Sequence, residues 1–128
     1  MPTPLSNRRR KAIAALTRRR GRRRHDRTLV EGPRALRAAR DADAPLVEVV
    51  VTPKGRDDPT VRALLEQLSA SVHETDPDTM ATLTDVETPQ GVVAVAERRL
   101  RDAATVPEQL GNTGTVLVLD GVQDPGNV

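Results

Sequence analysis

Two long apolar runs constrain the fold of this chain more than any other feature of its sequence. Leu46–Val51 is almost entirely apolar and β-branched, interrupted by Glu48, and Gly91–Ala96 is a second run of this type. Such strands are buried on both faces, and the first has the character of a central parallel strand. Segments with helical spacing separate the strands, and this alternation predicts an α/β sandwich.

Shorter elements are predicted around these two strands. Two further strands would run over Thr28–Val30 and Ser71–Glu74. Three helices would begin near prolines, at Pro33, Asp58–Pro59 and Asp76–Pro77. In the second helix, apolar side chains recur at helical spacing from Val61 to Leu68, so we assign it to the core rather than to a site.

The composition excludes several classes of protein. The chain has no Phe, Trp or Tyr, so it cannot stack bases on an aromatic platform. It has no cysteine and only two histidines, so we expect no disulfide, no cysteine nucleophile and no metal site. No apolar run has the length of a membrane span or the form of a secretory signal, so we expect a cytoplasmic protein without a membrane partner.

Charge is distributed very unevenly along the chain. Residues 1–40 hold 14 basic and 2 acidic residues, a net charge of +12, whereas residues 41–128 hold 6 and 16, a net charge of −10. Almost all of the basic residues are arginine, which binds phosphate through two donors at once. A basic arm on an acidic body predicts a polyanionic partner, RNA or DNA, and a disordered solubilising tail is the alternative.

The basic arm is predicted to form one helix over residues 6–20, which Gly21 ends. Its first arginines lie at the positive end of the helix dipole, where they do not stabilise the helix, so phosphate binding is the better explanation for them. Arg18–Arg20 suit the negative end of the dipole. On the helix after Pro33, arginines recur every three residues, and an ordinary solvated face is the alternative there. The predicted nucleic-acid-binding residues are Arg8, Arg9, Arg10, Lys11, Arg18, Arg19, Arg20, Arg22, Arg23, Arg24, Arg34 and Arg37.

The last segment is a strand-like run, Thr115–Leu119, that leads into a polar turn from Asp120 to Asn127. The turn offers several oxygen atoms, but its spacing does not fit the twelve-residue calcium loop. The chain also lacks the Gly-Lys-Ser/Thr sequence of a phosphate-binding loop. The residues therefore indicate a nucleic-acid-binding α/β domain without a self-contained active site.

Several short motifs resemble those of the SPOUT-class (SpoU/TrmH-type) RNA 2′-O-ribose methyltransferases. Leu29-Val30-Glu31-Gly32-Pro33 resembles the family's opening segment, and Thr88–Val95 resembles its Pro-Gln-Gly turn and buried strand. The turn from Asp120 to Asn127 resembles the first motif of its catalytic domain, and the basic helix resembles the N-terminal extension of one branch. Each motif is short, but their order and spacing agree with the family.

The resemblance implies a domain organisation. After the basic arm, 1–27, residues 28–98 would form the RNA substrate-binding domain, a small α/β/α sandwich similar to a ribosomal-protein and kink-turn-binding fold. Residues 99–113 would be a linker, and residues 114–128 would begin a truncated, knotted catalytic domain with Thr115–Leu119 as its first strand. In the family, that domain binds S-adenosylmethionine, forms a homodimer and methylates a ribose 2′-hydroxyl. Ribosomal RNA is the first expected partner and transfer RNA the second.

Only one catalytic residue can be carried over from the family. Asn127 matches the asparagine that helps to organise the active site, although it would also brace the turn by local hydrogen bonds. The other catalytic and cofactor motifs have no counterpart here, so we expect the chain to bind no S-adenosylmethionine and to be inactive alone. A stand-alone RNA-binding or ribosome-associated protein is the alternative, and a nonfunctional truncated product is a third. The roles of Glu31 and Gln90 stay open.

Overall fold

The structure, a computed structural model, describes residues 2–123, and in this part of the chain five strands form one sheet. The strands are β1 (Thr3–Pro4), β2 (Arg27–Glu31), β3 (Leu46–Val51), β4 (Ser71–Glu74) and β5 (Val92–Glu97). The helices are α1 (Asn7–Ala14), α2 (Arg19–His25), α3 (Gly32–Asp41), α4 (Pro53–Asp57), α5 (Pro59–Leu65), α6 (Pro77–Ala81) and α7 (Val106–Leu110). Short 3₁₀ turns cover Ala15–Thr17, Ala103–Thr105 and Gly111–Thr113.

The sheet has the order β1-β4-β3-β5-β2 and is mixed. Four of the five predicted strands are confirmed, and β3 is the central strand, as expected. It is parallel to β4 but antiparallel to β5, which also pairs antiparallel with β2. The prediction that β3 is a parallel strand is therefore confirmed for its pairing with β4 and wrong for its pairing with β5. An apolar run indicates burial on both faces, and it carries no information about the direction of the neighbouring strand.

Helices cover both faces of the sheet and create two cores, so the predicted α/β sandwich is confirmed. On one face, the arm and α6 pack against alternate residues of β3 and β5; this core contains Ile13, Leu16, Val50, Met80, Leu83, Val93 and Val95. On the other face lie α3 and α5; this core contains Leu36, Val49, Val51, Val61, Leu64, Val92 and Ala94. The aliphatic side chains thus form the interior without any aromatic residue.

The basic arm is not the single helix that its sequence predicts. The Ser6 hydroxyl accepts a hydrogen bond from the Arg9 N–H at 3.3 Å and begins α1. The helix then narrows to a 3₁₀ turn, and Arg18 adopts an extended conformation before α2 begins. Gly21 lies inside α2 rather than at its end. A Cβ at this position would lie 1.8 Å from the carbonyl oxygen of Ala15, so any other residue would clash there. Glycine thus allows α2 to pack closely on the preceding turn.

The segment Thr115–Leu119 does not form the predicted strand. A strand needs the hydrogen bonds of a neighbour, and no strand within residues 2–123 pairs with this segment. Its apolar side chains are exposed, Leu117 to 81% and Val118 to 79%. Asn127, the predicted catalytic residue, lies outside the described residues. Among residues 2–123, no helix is long and apolar enough to cross a membrane.

The side chain of Asp76 caps the N-terminus of α6. The Thr79 N–H donates to its Oδ1 and the Thr79 hydroxyl donates to its Oδ2, each at 2.8 Å. These bonds, that of the backbone first, lower the pKa of Asp76 below its ordinary value of 3.8. The ionised carboxylate therefore stabilises the folded state above about pH 4, and this contribution is lost as pH falls through the lowered pKa.

We predict that Asp76→Asn, which keeps an acceptor oxygen but removes the charge, is less stable than wild type near neutral pH. The difference should close as the solution is acidified. Denaturant unfolding across a pH series measures it, with Glu66→Gln at the end of α5 as the control. A difference that does not change with pH would contradict a role for the ionised carboxylate.

Candidate nucleic-acid interface

An ion pair attaches the basic arm to the sheet. Glu48 interrupts the apolar run of β3 and is 5% exposed. Its Oε2 accepts a hydrogen bond from Arg9 Nε at 2.9 Å and lies 2.8 Å from the terminal nitrogen of the same guanidinium. His73 Nε2 lies 3.4 Å from that oxygen, and its Nδ1 lies 2.9 Å from the Thr3 hydroxyl. Arg9 therefore neutralises a buried carboxylate and sets the position of α1, and phosphate binding by Arg9 stays a prediction.

Arg22 and Arg10 also have partners within the arm. One terminal nitrogen of Arg22 donates to the carbonyl oxygens of Leu16 and Thr17, at 3.0 and 3.1 Å. It thereby satisfies acceptors that the 3₁₀ turn leaves without partners. Arg10 Nε donates to Asn7 Oδ1 at 3.3 Å, a local contact on the helix surface.

The other basic residues of the arm face solvent. Arg18, Arg19 and Arg20 are exposed, and because the helix is broken at Arg18 they lie at the N-terminal, positive end of α2. The prediction that they suit a negative helix end is therefore wrong, and helix stability does not account for them. The remaining exposed residues of this group are Arg8, Lys11, Arg23 and Arg24. Within residues 2–123, none of these seven forms an ion pair with an acidic side chain.

A second group of arginines lies on α3. Arg34 and Arg37 are exposed and line a cavity of about 290 Å³ together with Gln90. Arg40, which shares their arc, instead donates to Asp41 and to Gln67 Oε1, the latter at 2.6 Å. The cavity lies at the end of the sheet where β2 and β3 end and β5 begins. Two of the three arginines on this arc are therefore available to a ligand.

The same end of the sheet holds residues whose roles the sequence left open. Glu31 Oε1 accepts a hydrogen bond from the Asp85 N–H at 3.0 Å, so it braces the loop before β5. Lys54, which is not among the predicted binding residues, is exposed in the first turn of α4 and lines a cavity with Gln90. The one sign of it in the sequence is that it is one of only two lysines among the twenty basic residues. Among residues 2–123, no group of three or more His, Asp or Glu side chains is placed to hold a metal ion.

Comparison with known proteins identifies the family of this domain. The family model of the MRM3-like substrate binding domain matches residues 7–94. The chain therefore belongs to that family, and the residues from the basic arm to β5 are the part that matches. The search of curated proteins finds no match.

Solved structures with the same fold are methyltransferases. The SpoU methyltransferase AviRb from Streptomyces viridochromogenes, in complex with AdoMet, is 27% identical over 80% of this chain, with a TM-score of 0.70. An RNA 2′-O ribose methyltransferase is 26% identical over 80%, with a TM-score of 0.67. The AdoMet-bound rRNA methyltransferase from Sinorhizobium meliloti is 25% identical over 77%, with a TM-score of 0.62. The chain spans 39%, 40% and 36% of these three proteins.

These comparisons confirm the resemblance to SPOUT-class methyltransferases and the α/β fold class. The similarity to a kink-turn-binding fold stays a prediction.

The ion pair between the arm and the sheet leads to a stability prediction. Arg9→Ala leaves the Glu48 carboxylate buried without its donor, which should lower the free energy of unfolding by about 1–3 kcal/mol. The neighbouring Arg8→Ala, which removes an exposed arginine of the same helix, should change it by less than about 0.5 kcal/mol. Denaturant unfolding measures both variants.

A second change separates the charge from the packing. Adding Glu48→Gln to Arg9→Ala should recover part of the loss, because a neutral amide costs less to bury than an unpaired carboxylate. Equal stability of Arg9→Ala and Arg8→Ala would show that the ion pair does not hold the arm in place.

Proposed function

We propose that this chain provides the RNA-recognition part of a SpoU-type RNA 2′-O-ribose methyltransferase, acting on ribosomal RNA. The match of residues 7–94 to a substrate-binding-domain family carries the proposal. The similar solved structures include an RNA 2′-O ribose methyltransferase and an rRNA methyltransferase, which supports ribosomal RNA before transfer RNA.

The exposed arginines supply the binding chemistry in this proposal. Arg18, Arg19 and Arg20 lie together at the start of α2, where neither an ion pair nor the helix dipole explains them. Arginine binds phosphate through two parallel hydrogen bonds, and phosphate contacts position a protein on RNA without reading its sequence. Because the chain has no aromatic side chain, recognition depends on phosphate contacts and RNA shape rather than on base stacking.

We assign methyl transfer to the part of the similar methyltransferases that this chain does not span. S-adenosylmethionine, the cofactor bound in two of the similar structures, supplies a methyl group to a ribose 2′-hydroxyl in this family. The described residues do not fit the cofactor, because the run Thr115–Leu119, which resembles the start of the catalytic domain, is exposed and pairs with no strand within residues 2–123. The role of residues 2–123 is to hold and orient RNA. A homodimer and a cytoplasmic location belong to the same proposal.

A salt titration tests RNA binding. Fragments of ribosomal RNA should bind with an affinity that falls steeply with salt, as expected if about six to ten phosphates are contacted. Replacing Arg18, Arg19 and Arg20 together by glutamine should reduce the slope of log affinity against log salt by about 3.

The matched control is the triple variant Arg62→Gln, Arg99→Gln and Arg101→Gln, which removes the same charge from exposed positions outside residues 1–40. It should keep the wild-type slope. Binding that does not depend on salt, or equal losses in the two triple variants, would overturn the proposed role of the arm.

Calorimetry with S-adenosylmethionine tests whether this chain binds the methyl donor. Titration of this chain should release no binding heat, alone or with ribosomal RNA fragments present, while the RNA itself binds. A saturable heat with one-site stoichiometry would show that this chain contains a methyl-donor site and would contradict the assignment of methyl transfer to the part of the relatives that it does not span.

A further inference from the structure

Gln90 lies where three cavities meet. It lines the cavity with Arg34 and Arg37, and also two others of about 320 and 330 Å³. Its side chain is exposed and passes over Gly32, where a Cβ would lie 2.8 Å from Gln90 Oε1. Within residues 2–123 the Gln90 amide has no hydrogen-bond partner, so its donor and acceptor atoms are available to a ligand.

The cavity of about 320 Å³ has a floor made of backbone. The Thr52 N–H donates to the Gly91 carbonyl at 2.9 Å, and the Gly55 N–H donates to the Thr52 hydroxyl at 3.0 Å. Gly55 and Gly91 touch so closely that a Cβ on Gly55 would lie 2.1 Å from the Gly91 oxygen. The floor is therefore held by main-chain contacts and by one buried side chain, that of Thr52.

The walls of this cavity are apolar and its mouth is polar. Pro77, Met80, Ala81 and Pro89 form the walls, while Lys54 and Gln90 lie at the mouth. Its volume is at the lower end of the range for ligand pockets, about 300–1,000 Å³. A flat group with apolar faces and a polar edge fits such a space, and a nucleobase is a group of this kind.

The charges around the mouth suit a phosphate chain. Lys54, Arg34 and Arg37 are exposed and line the adjoining cavities. Two carboxylates line the same group of cavities, and each accepts hydrogen bonds from backbone N–H groups. Asp58 Oδ1 accepts from Thr60 and Val61 at the start of α5, and Glu31 accepts from Asp85.

Resting on the RNA recognition proposed above, we propose that this cavity holds one nucleobase unstacked from a folded RNA. The Gln90 amide, which both donates and accepts, binds the polar edge of the base. Lys54 on one side and Arg34 and Arg37 on the other bind the phosphates that flank it. Sequence-specific recognition of RNA commonly uses bases that leave the helix in loops and bulges, because their edges are then accessible.

The test compares two RNA hairpins that differ by a single unpaired nucleotide in the stem. The chain should bind the bulged hairpin about tenfold more tightly than the fully paired one, the ratio expected from one well-placed hydrogen-bonded base. Gln90→Ala should abolish this preference and keep the salt dependence. Ala81→Trp, which fills the cavity from an exposed wall position, should do the same, and thermal unfolding confirms that both variants fold.

Gln67→Ala is the matched control, because Gln67 is an exposed glutamine beside Arg40, at the far end of α3 and α5. It should keep the tenfold preference. Lys54→Ala should weaken binding to both hairpins and reduce the salt slope by about 1.

Failure of the inference and failure of the proposed function look different. Equal, salt-dependent affinity for the two hairpins, or a preference that survives both Gln90→Ala and Ala81→Trp, would overturn the nucleobase site and leave RNA binding intact. Absence of salt-dependent binding to either hairpin would overturn the proposed function itself.

Discussion

The buried carboxylate of Glu48 is the constraint on which the position of the arm depends. A charge in the central strand of an aliphatic sheet is costly unless a cation reaches it, and the cation comes from Arg9 of the arm. Ile13 and Leu16 of the same segment are 1% and 3% exposed in the core. The arm is thus part of the folded domain, which argues against a disordered solubilising tail.

This anchoring divides the arginines of the arm into two groups with different physical roles. Arg9 and Arg22 satisfy a buried carboxylate and the carbonyls of a 3₁₀ turn, so their removal acts first on stability. Arg18, Arg19 and Arg20 have no such partner in the described part of the chain and face solvent at a helix end that repels cations. Composition treats all of these residues as one basic run, and the structure separates those that hold the fold from those that can hold a ligand.

The sequence predicted those features that depend on local pattern. The apolar runs located β3 and β5, and Asp58 and Asp76 were correct as the starts of helices, because burial and capping leave a signal within a few residues. Features that depend on distant partners were not predictable. These include the antiparallel pairing of β3 with β5 and the cavity at Gln90. Each is defined by segments far apart in the chain, and no single segment carries a sign of its partner.

The two candidate surfaces lie at opposite ends of β5. Gln90 lies two residues before the strand begins. At the other end, the carbonyl of Asp26, which follows α2, accepts from the N–H of Arg98, which follows the strand, at 2.9 Å. A six-residue strand separates Gln90 from the end of α2 by about 17 Å, and Arg18, Arg19 and Arg20 lie at the start of that helix. The arm connects these ends, because Leu5 bonds to Glu74 at the Gln90 end and the chain then descends to α2. A ligand that contacts both surfaces therefore spans a distance of the order of this strand, and a folded RNA element presents its phosphates in a fixed arrangement over such a distance.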